Sequence, residues 1–525
     1  MKPITYCLTL LLLLNSIFHV QAEIVNPETY CFKDLTGTML KPEIKLSDID
    51  HIKTPALKLL AIRLYKKTYQ PASRLVTIEP YLNPATLGRQ RRIGNGYSPF
   101  EGITGIYLEK GENLVLVGKT NGAKLKLLVP DWTEKRPVFD QKNVNNSAFS
   151  LHKEVFSLNE GLNVINLKTG GNVYIQYFTD GDPKTLSPIM VHFPTGMING
   201  YFDLTRGDTN EDFNKLLENA VGPIMDIRGK HIQLAFPVDS LKKYTLNQGV
   251  ELVRKYDTIV GLQQHMLGWD KEGIVPKNHI LARVNYYFYM YRDGDGMAFI
   301  NWAMKLVANS DNFKNDPCWG FCHEMGHVHQ MCPQMSWGGM SEVSNNILTM
   351  YAHIAVGNQS RLSQEHQYAK ARATILDKGI SYMDFPGKLD PSKTNVYGGT
   401  GNTDVFQRLV PFWQLYLYFK EQGYPDFYPD LLIAMRNQKP IYGGPDRGKD
   451  YLNMLEFCRL ACVVSKTDLT EFFQRWGFFY VGEIDLADYT PIVYHVSQSD
   501  VDIAKEAIAK LHLPKPVKDI TLIED

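Results

Sequence analysis

The chain has 525 residues, which is too long for one ordinary hydrophobic core and predicts two to four domains. Apolar residues make up 44% and charged residues 21%, which excludes a disordered or fibrous protein. Lysine plus arginine equals aspartate plus glutamate at 56 each, so no net charge favours nucleic acid or an anionic membrane surface as a partner.

Residues 1–22 are typical of a signal peptide. A lysine precedes an apolar run, and small or branched residues lead to Ala22, where a signal peptidase would cut. A membrane anchor would need about 20 uninterrupted apolar residues, which Asn15, Ser16 and His19 prevent. We therefore expect an exported protein (secreted, periplasmic or on the cell surface) without a stable membrane span.

Two patterns follow the signal peptide. Residues 23–69 read as a helical lead-in, because apolar residues between Leu57 and Leu64 recur at helical spacing. Residues 70–190 contain short apolar runs separated by glycine, asparagine and aspartate, which predicts a β-sandwich accessory domain. Within it, residues 102–118 predict two strands joined by a charged turn.

From about residue 191 the pattern is mainly helical, and we expect an α-rich domain over residues 191–484. Residues 286–291 and 297–300 are strand-like and flank a glycine- and aspartate-rich turn. Residues 485–525 read as a short tail to which the sequence assigns no function.

The most informative segment is the HExxH motif, which begins at His323 and ends at His327. Two histidines four residues apart lie on one face of a helix, so both imidazoles can reach one ion at about 2.0–2.1 Å, as zinc requires. Glu324 projects beside that metal without binding it, where it can accept a proton from water. The alternative is a pair of surface or core histidines on an ordinary helix.

A catalytic zinc keeps three protein ligands, and Glu342 is the predicted third. It opens a second helix-compatible segment, close enough in sequence to fold back against the first. Asn346 lies one turn later and is expected to hydrogen-bond a ligating histidine. Three other side chains compete as the third ligand: His329, His353 and Glu365.

His323 to Gln330, followed by Glu342 and Asn345-Asn346, resembles the enhancin-like zinc metallopeptidases, a family of viral enhancins and secreted mucin-degrading bacterial peptidases. The resemblance includes Gly326 and Gln330 and extends less specifically to residues 104–112, 411–415 and 472–477. It implies a gluzincin-type α+β metallopeptidase domain over residues 191–484, joined to the N-terminal β-sandwich. It also implies glycoprotein substrates with mucin-type O-glycans.

The expected reaction is peptide hydrolysis with Zn²⁺ as cofactor and Glu324 as base. A tyrosine or histidine would suit stabilisation of the oxyanion, and Tyr397 and His353 are candidates that are equally well explained as structural residues. Met297 and Ala298 lie on a strand that could pair with extended substrate, or that could simply be buried. Trp337 could stack on a sugar ring, although a packed turn tryptophan is the commoner case.

Two other functions remain open. The protein could be a glycan-binding surface protein with an inactive peptidase-like domain, which would not need Glu324. It could also be a general zinc protease that does not require a glycan. The sequence does not separate this last function from a glycoprotein peptidase, and it does not predict the oligomeric state.

Overall fold

The computed structural model describes residues 28–94, 97–135, 151–311, 314–383, 405–488 and 490–525. The predicted signal peptide and the oxyanion candidate Tyr397 lie outside the described residues. The described part has a mixed α/β fold with several sheets. None of its helices is both long and apolar enough to cross a bilayer.

The N-terminal segment is helical where helical spacing predicted it. Its helices are α1 (Leu46–Ile49) and α2 (Pro55–Tyr65), and a proline in the first turn of α2 suits a helix start. Leu57 and Leu60 of α2 are buried in a cluster that also contains Leu114 and Leu116 of the following sheet region. The lead-in therefore packs against that sheet.

Two sheets form between residues 75 and 198. Their elements are β1 (Leu75–Ile78), β2 (Tyr81–Leu82), α3 (Pro84–Arg91), β3 (Ile103–Leu108), β4 (Gly111–Val117), β5 (Leu125–Pro130), β6 (Lys153–Leu158), β7 (Gly161–Leu167), β8 (Gly171–Thr179), β9 (Ile189–His192) and β10 (Met197–Ile198). One sheet has the order β1-β9-β4-β7, and the other has β10-β3-β8-β5-β6 with β2 beside β8. Buried residues of both sheets share one hydrophobic cluster.

The two strands predicted between residues 102 and 118 are β3 and β4, and a short charged turn joins them as expected. The sequence did not predict their partners: β3 pairs with β8 and β10, while β4 pairs with β7 and β9. Each strand is buried along most of its length. Local spacing identifies a turn, but the partners of a strand depend on contacts distant in sequence.

A six-stranded mixed sheet lies at the centre of the next part of the chain. Its strands are β11 (Phe202–Asp203), β12 (Ile224–Arg228), β13 (Ile232–Pro237), β14 (Ile280–Asn285), β15 (Met290–Asp293) and β16 (Gly296–Ile300). Their order is β11-β12-β13-β14-β16-β15. The helices in this part are α4 (Asn210–Asn219), α5 (Val238–Tyr244), α6 (Gly249–Met266), α7 (Met304–Val307) and α8 (Asn315–His329).

The prediction that Met297 and Ala298 lie on a substrate-binding edge strand is wrong. Both residues belong to β16, which lies between β14 and β15, so its backbone pairs on both sides. Both are fully buried. The earlier strand of the hairpin, β15, lies at one end of the sheet, and its other edge pairs with no strand in the described part of the chain.

The C-terminal part is mainly helical. Its elements are α9 (Ser344–Ala355), α10 (Arg361–Gln364), α11 (Gln367–Ala371), α12 (Val405–Glu421), α13 (Phe427–Asn437), α14 (Tyr451–Ser465), α15 (Thr470–Arg475), β17 (Gly482–Asp488), β18 (Thr490–Val496) and α16 (Gln498–Ala509). Residues 485–525 are therefore not a simple tail. The hairpin β17–β18 buries Leu486, Ile492 and Tyr494 in the main hydrophobic core.

Candidate metal centre

The HExxH residues lie in the second half of α8, which packs closely against α9. Gly326 is at the contact, where an added Cβ would lie 2.7 Å from the backbone oxygen of Asn345 and 3.0 Å from its Cβ. Any larger residue would force the helices apart. Glycine thus allows the start of α9, with Glu342 just before it, to approach the two histidines of α8.

Three possible ligand atoms converge at this contact. His323 Nε2 and His327 Nε2 are 3.2 Å apart, and Glu342 Oε2 lies 3.1 Å from the first and 3.4 Å from the second. A tetrahedral zinc ion with bonds of about 2.0–2.1 Å separates its ligand atoms by about 3.3 Å. The three side chains therefore fit one tetrahedral metal ion. No other group of three histidine, cysteine or acidic side chains converges in this way among the described residues.

A side-chain amide orients each imidazole. His323 Nδ1 donates to Asn346 Oδ1 at 2.8 Å, and His327 Nδ1 donates to Gln330 Oε1 at 2.9 Å. Because Nδ1 carries the proton in both rings, the lone pair of each Nε2 faces the shared space. Two lone pairs this close repel each other unless a cation or a proton lies between them, so the donor set suits a metal.

The nitrogen atoms of the same amides hold the segment around Glu342. Asn346 Nδ2 donates to the backbone oxygen of Glu342 at 2.7 Å, and Gln330 Nε2 donates to that of Ser341 at 2.7 Å. A carbonyl oxygen only accepts, so these contacts determine which amide atom faces each histidine. Asn346 was expected to hydrogen-bond one of the two motif histidines, and it bonds His323. The role of Gln330 was not predicted, although its place three residues after His327 allows this contact.

The charges of the site follow from one carboxylate packed against two imidazoles. Burial alone would raise the pKa of Glu342, but His327 and His323 outweigh it and hold that pKa well below its ordinary value. Burial opposes a charge on His327, yet Glu342 beside it raises the pKa of His327 to about 9. The site therefore attracts positive charge, which a divalent cation would supply.

Glu324 is outside the group of converging ligand atoms. Its side chain is only 6% exposed, and burial raises its pKa, although both histidines oppose that shift. Arg292 of β15 interacts electrostatically with it. A carboxylate beside the ligands but not among them is what general-base catalysis requires. The sequence offered no signal for Arg292, because β15 and α8 meet only in the folded chain.

The prediction that Trp337 stacks on a sugar ring is wrong. Trp337 is fully buried, and its indole Nε1 donates to the hydroxyl oxygen of Tyr382 at 2.7 Å. Its ring also packs against Phe412 and Phe457. A glycan therefore has no access to it, and the commoner explanation of a packed turn tryptophan is correct.

The competing third ligands have other partners. His329 is fully buried and bonds the hydroxyl of Tyr97 at 2.8 Å and Gln263 Oε1 at 2.9 Å. His353, which is also an oxyanion candidate, is 4% exposed and packs edge-on against Trp319. Glu365 forms an ion pair with a neighbouring arginine.

The chain is similar to known proteins in sequence and in structure. The chain is 26% identical to a metallopeptidase from Bacteroides thetaiotaomicron, with a TM-score of 0.77 over 95% of this chain and 81% of that one. A metallopeptidase solved in complex with Tn antigen is also 26% identical, with a TM-score of 0.71 over 87% of this chain and 81% of that one.

A curated relative, TRPM8 channel-associated factor 3 of Rattus norvegicus, is 22% identical over 430 residues. The match covers 80% of this chain but only 42% of the length of the rat protein.

A family model described as peptidase M60, enhancin and enhancin-like matches residues 201–477. This range contains the central sheet, both histidines and Glu342, and it is more than half of the chain. The family and the structural neighbours above are metallopeptidases. The chain belongs to the peptidase M60, enhancin and enhancin-like family.

Proposed function

We propose that the protein is a zinc-dependent endopeptidase that hydrolyses peptide bonds in glycoproteins, with mucin-type O-glycosylated proteins as the substrate class. The observation that carries the proposal is the convergence of His323 Nε2, His327 Nε2 and Glu342 Oε2 within 3.4 Å of one another. Zinc bound there would polarise the scissile carbonyl and lower the pKa of a water molecule toward about 7. The donor set of two imidazoles and one carboxylate is one that zinc prefers.

Glu324 acts as the base in this proposal. It takes a proton from the attacking water and passes it to the leaving amine. Its burial supports this role, because a carboxylate with a raised pKa gives up a proton less readily to bulk water and holds it for transfer.

The substrate backbone lies along β15 in this proposal. This strand pairs only with β16 in the described part of the chain, so its other edge can bind an extended peptide. It packs against α8, and its residue Arg292 interacts with the proposed base. A peptide on this edge therefore passes close to Glu324.

The substrate class rests on the family and on the neighbour that binds Tn antigen. We further propose that residues 70–190 are a β-sandwich accessory domain, that residues 191–484 are the peptidase domain, and that residues 1–22 direct export. The shared hydrophobic cluster between the two N-terminal sheets supports the sandwich.

The alternatives make different predictions. An inactive glycan-binding protein has no need of a buried carboxylate beside a complete ligand set, so the arrangement of Glu324 disfavours it. A general protease would cut with or without a glycan. Digestion of a mucin-type O-glycopeptide and of its deglycosylated twin, followed by mass spectrometry, separates the three. Cleavage of the glycopeptide alone supports the proposal, equal cleavage indicates the general protease, and cleavage of neither indicates the binding protein.

The roles within the site are tested by two matched variants. Glu324→Gln should keep its zinc and lose at least about 100-fold in turnover, because the base is removed and the ligands are not. Glu342→Ala should lose zinc as well. Metal content by elemental analysis and turnover of the glycopeptide are the measurements. Unchanged turnover in Glu324→Gln would refute its assignment as base, and full zinc content in Glu342→Ala would refute the ligand set.

A further inference from the structure

Two exposed aromatic rings stack on each other in the segments that flank the hairpin β15–β16. Tyr289 is 47% exposed and Trp302 is 53% exposed, and their ring centroids are 5.2 Å apart with planes inclined by 12°. The chain contains 7 tryptophans, 29 tyrosines and 25 phenylalanines. Among the described aromatic residues, only Tyr65 is exposed to a similar extent. Such exposure costs hydrophobic free energy and often marks a binding surface.

The pair lies at one end of the proposed substrate edge. Tyr289 directly precedes β15, and its backbone oxygen accepts a hydrogen bond from Ile300 at the end of β16. The neighbouring Met290 packs on α8, where a Cβ added to Gly320 would lie 2.9 Å from its terminal methyl. The phenol of Tyr289 also interacts electrostatically with Asp316 in the first turn of α8.

These contacts locate the pair relative to the metal ligands. Asp316 precedes His323 by seven residues, which is about 10 Å along a helix that rises 1.5 Å per residue. An extended peptide on the edge of β15 advances about 3.3 Å per residue. A peptide bound along β15 would therefore contact the aromatic pair with a residue that lies about three positions from its scissile bond.

The chemistry of the pair suits a sugar more than a peptide side chain. The face of an aromatic ring is electron-rich and attracts the slightly positive C–H groups of a pyranose ring. The ammonium of Lys305 lies 5.7 Å from the centroid of the Trp302 ring and could donate to sugar hydroxyls. An exposed apolar surface with a cation at its rim matches a ligand that is apolar on one face and hydroxylated at its edge.

We propose that Tyr289 and Trp302 form a sugar-binding platform that contacts a glycan carried by the substrate about three residues from the bond that is cut. This inference rests on the proposed function. The platform is separate from the metal centre, so it selects substrates that carry a glycan at this position without taking part in the hydrolysis.

The test uses the Glu324→Gln protein, which can bind substrate without cutting it. Its affinity is measured by calorimetry for a synthetic O-glycopeptide with one monosaccharide about three residues from the cleavage site, and for the unglycosylated twin. The ratio of the two affinities isolates the sugar contribution. It should fall about 2- to 10-fold when Trp302→Ala or Tyr289→Ala is added, which is the range that aromatic contacts supply.

Two controls accompany these variants. Tyr65→Ala removes an equally exposed tyrosine of α2 and should leave the ratio unchanged. Trp302→Phe keeps an aromatic face and should retain most of the affinity ratio. Circular dichroism and the thermal midpoint show that each variant is folded, which is expected because both rings are about half exposed.

An unchanged ratio in both alanine variants overturns the platform, and a loss as large in Tyr65→Ala does the same. The proposed function is judged separately by whether the wild-type protein cuts the glycopeptide. Cleavage combined with an unchanged ratio refutes the platform alone. Absence of cleavage refutes the proposed peptidase, while the binding ratio still decides whether the aromatic pair holds a sugar.

Discussion

Gly326→Ala tests whether the close contact between α8 and α9 builds the metal site. The added Cβ would lie 2.7 Å from the backbone oxygen of Asn345, whereas a carbon and an oxygen need about 3.3 Å. Either helix must therefore move by about 0.6 Å. Because the obstacle is backbone, no side-chain rotation relieves it. Overpacking of this kind costs about 1–3 kcal/mol.

Alanine also favours a helix by about 0.8–1.0 kcal/mol over glycine, which partly offsets that cost. Gly261→Ala is the matched control, because Gly261 lies inside α6 and an added Cβ there has no neighbouring atom within 4 Å. We expect the control to gain about 1 kcal/mol in free energy of unfolding. The two variants should therefore differ by about 1–3 kcal/mol.

The same displacement should weaken metal binding. A shift of about half an ångström is the limit within which a ligand set stays productive. Zinc affinity of Gly326→Ala, measured by competition with a chelator, should fall about 10-fold or more, while Gly261→Ala keeps the wild-type affinity. Chemical denaturation of the metal-free proteins gives the stability difference. The reasoning is refuted if Gly326→Ala is stabilised as much as the control and binds zinc equally well.

Three further outcomes are expected. Gln330→Ala should lower zinc affinity by about 10- to 100-fold in the same chelator competition, because His327 Nδ1 loses the hydrogen bond that orients the ring. Trp337→Ala should lower the free energy of unfolding, measured with denaturant, by about 3–5 kcal/mol, because the ring is fully buried. The glycopeptide affinity ratio should stay unchanged, because a buried ring cannot contact the glycan. Burial raises the pKa of Asp226 to about 6, so the folded state binds the carboxyl proton of Asp226 more tightly than the unfolded state does. The free energy of unfolding should therefore fall as the pH rises from about 4 to about 6. Asp226→Asn should flatten that part of the stability curve, and an equal slope in both proteins would contradict it.

Much of the candidate site could be predicted because its chemistry follows helical spacing. His323 and His327 are four residues apart, so a helix places them on one face whatever the rest of the fold does. Glu342 and Asn346 are also four residues apart and follow a turn, so they could be placed opposite the histidines. The helix α2 and the strands near residues 103–117 were predictable for the same reason, since their patterns are local.

Features that depend on distant contacts could not be predicted. The order of β15 and β16 depends on which of them pairs with β14, and the sequence of the hairpin is compatible with either. Trp337 precedes the predicted helix in a segment rich in turn residues, and this local pattern is compatible with either an exposed or a packed ring. It is buried because aromatic residues about 75 and 120 positions further along the chain cover it.

The two orienting amides suggest that the metal site is formed before metal binds. Asn346 links His323 to the backbone of Glu342, and Gln330 links His327 to the backbone of Ser341. Each amide therefore connects an imidazole of α8 with the segment that carries the third ligand. Because each amide uses both its donor and its acceptor, moving the ligand segment away from α8 would break the bond between His323 and Asn346 and the bond from Gln330 to Ser341. Such a preorganised set loses little conformational freedom when it takes up an ion, so its affinity depends on these amides as well as on the three ligands.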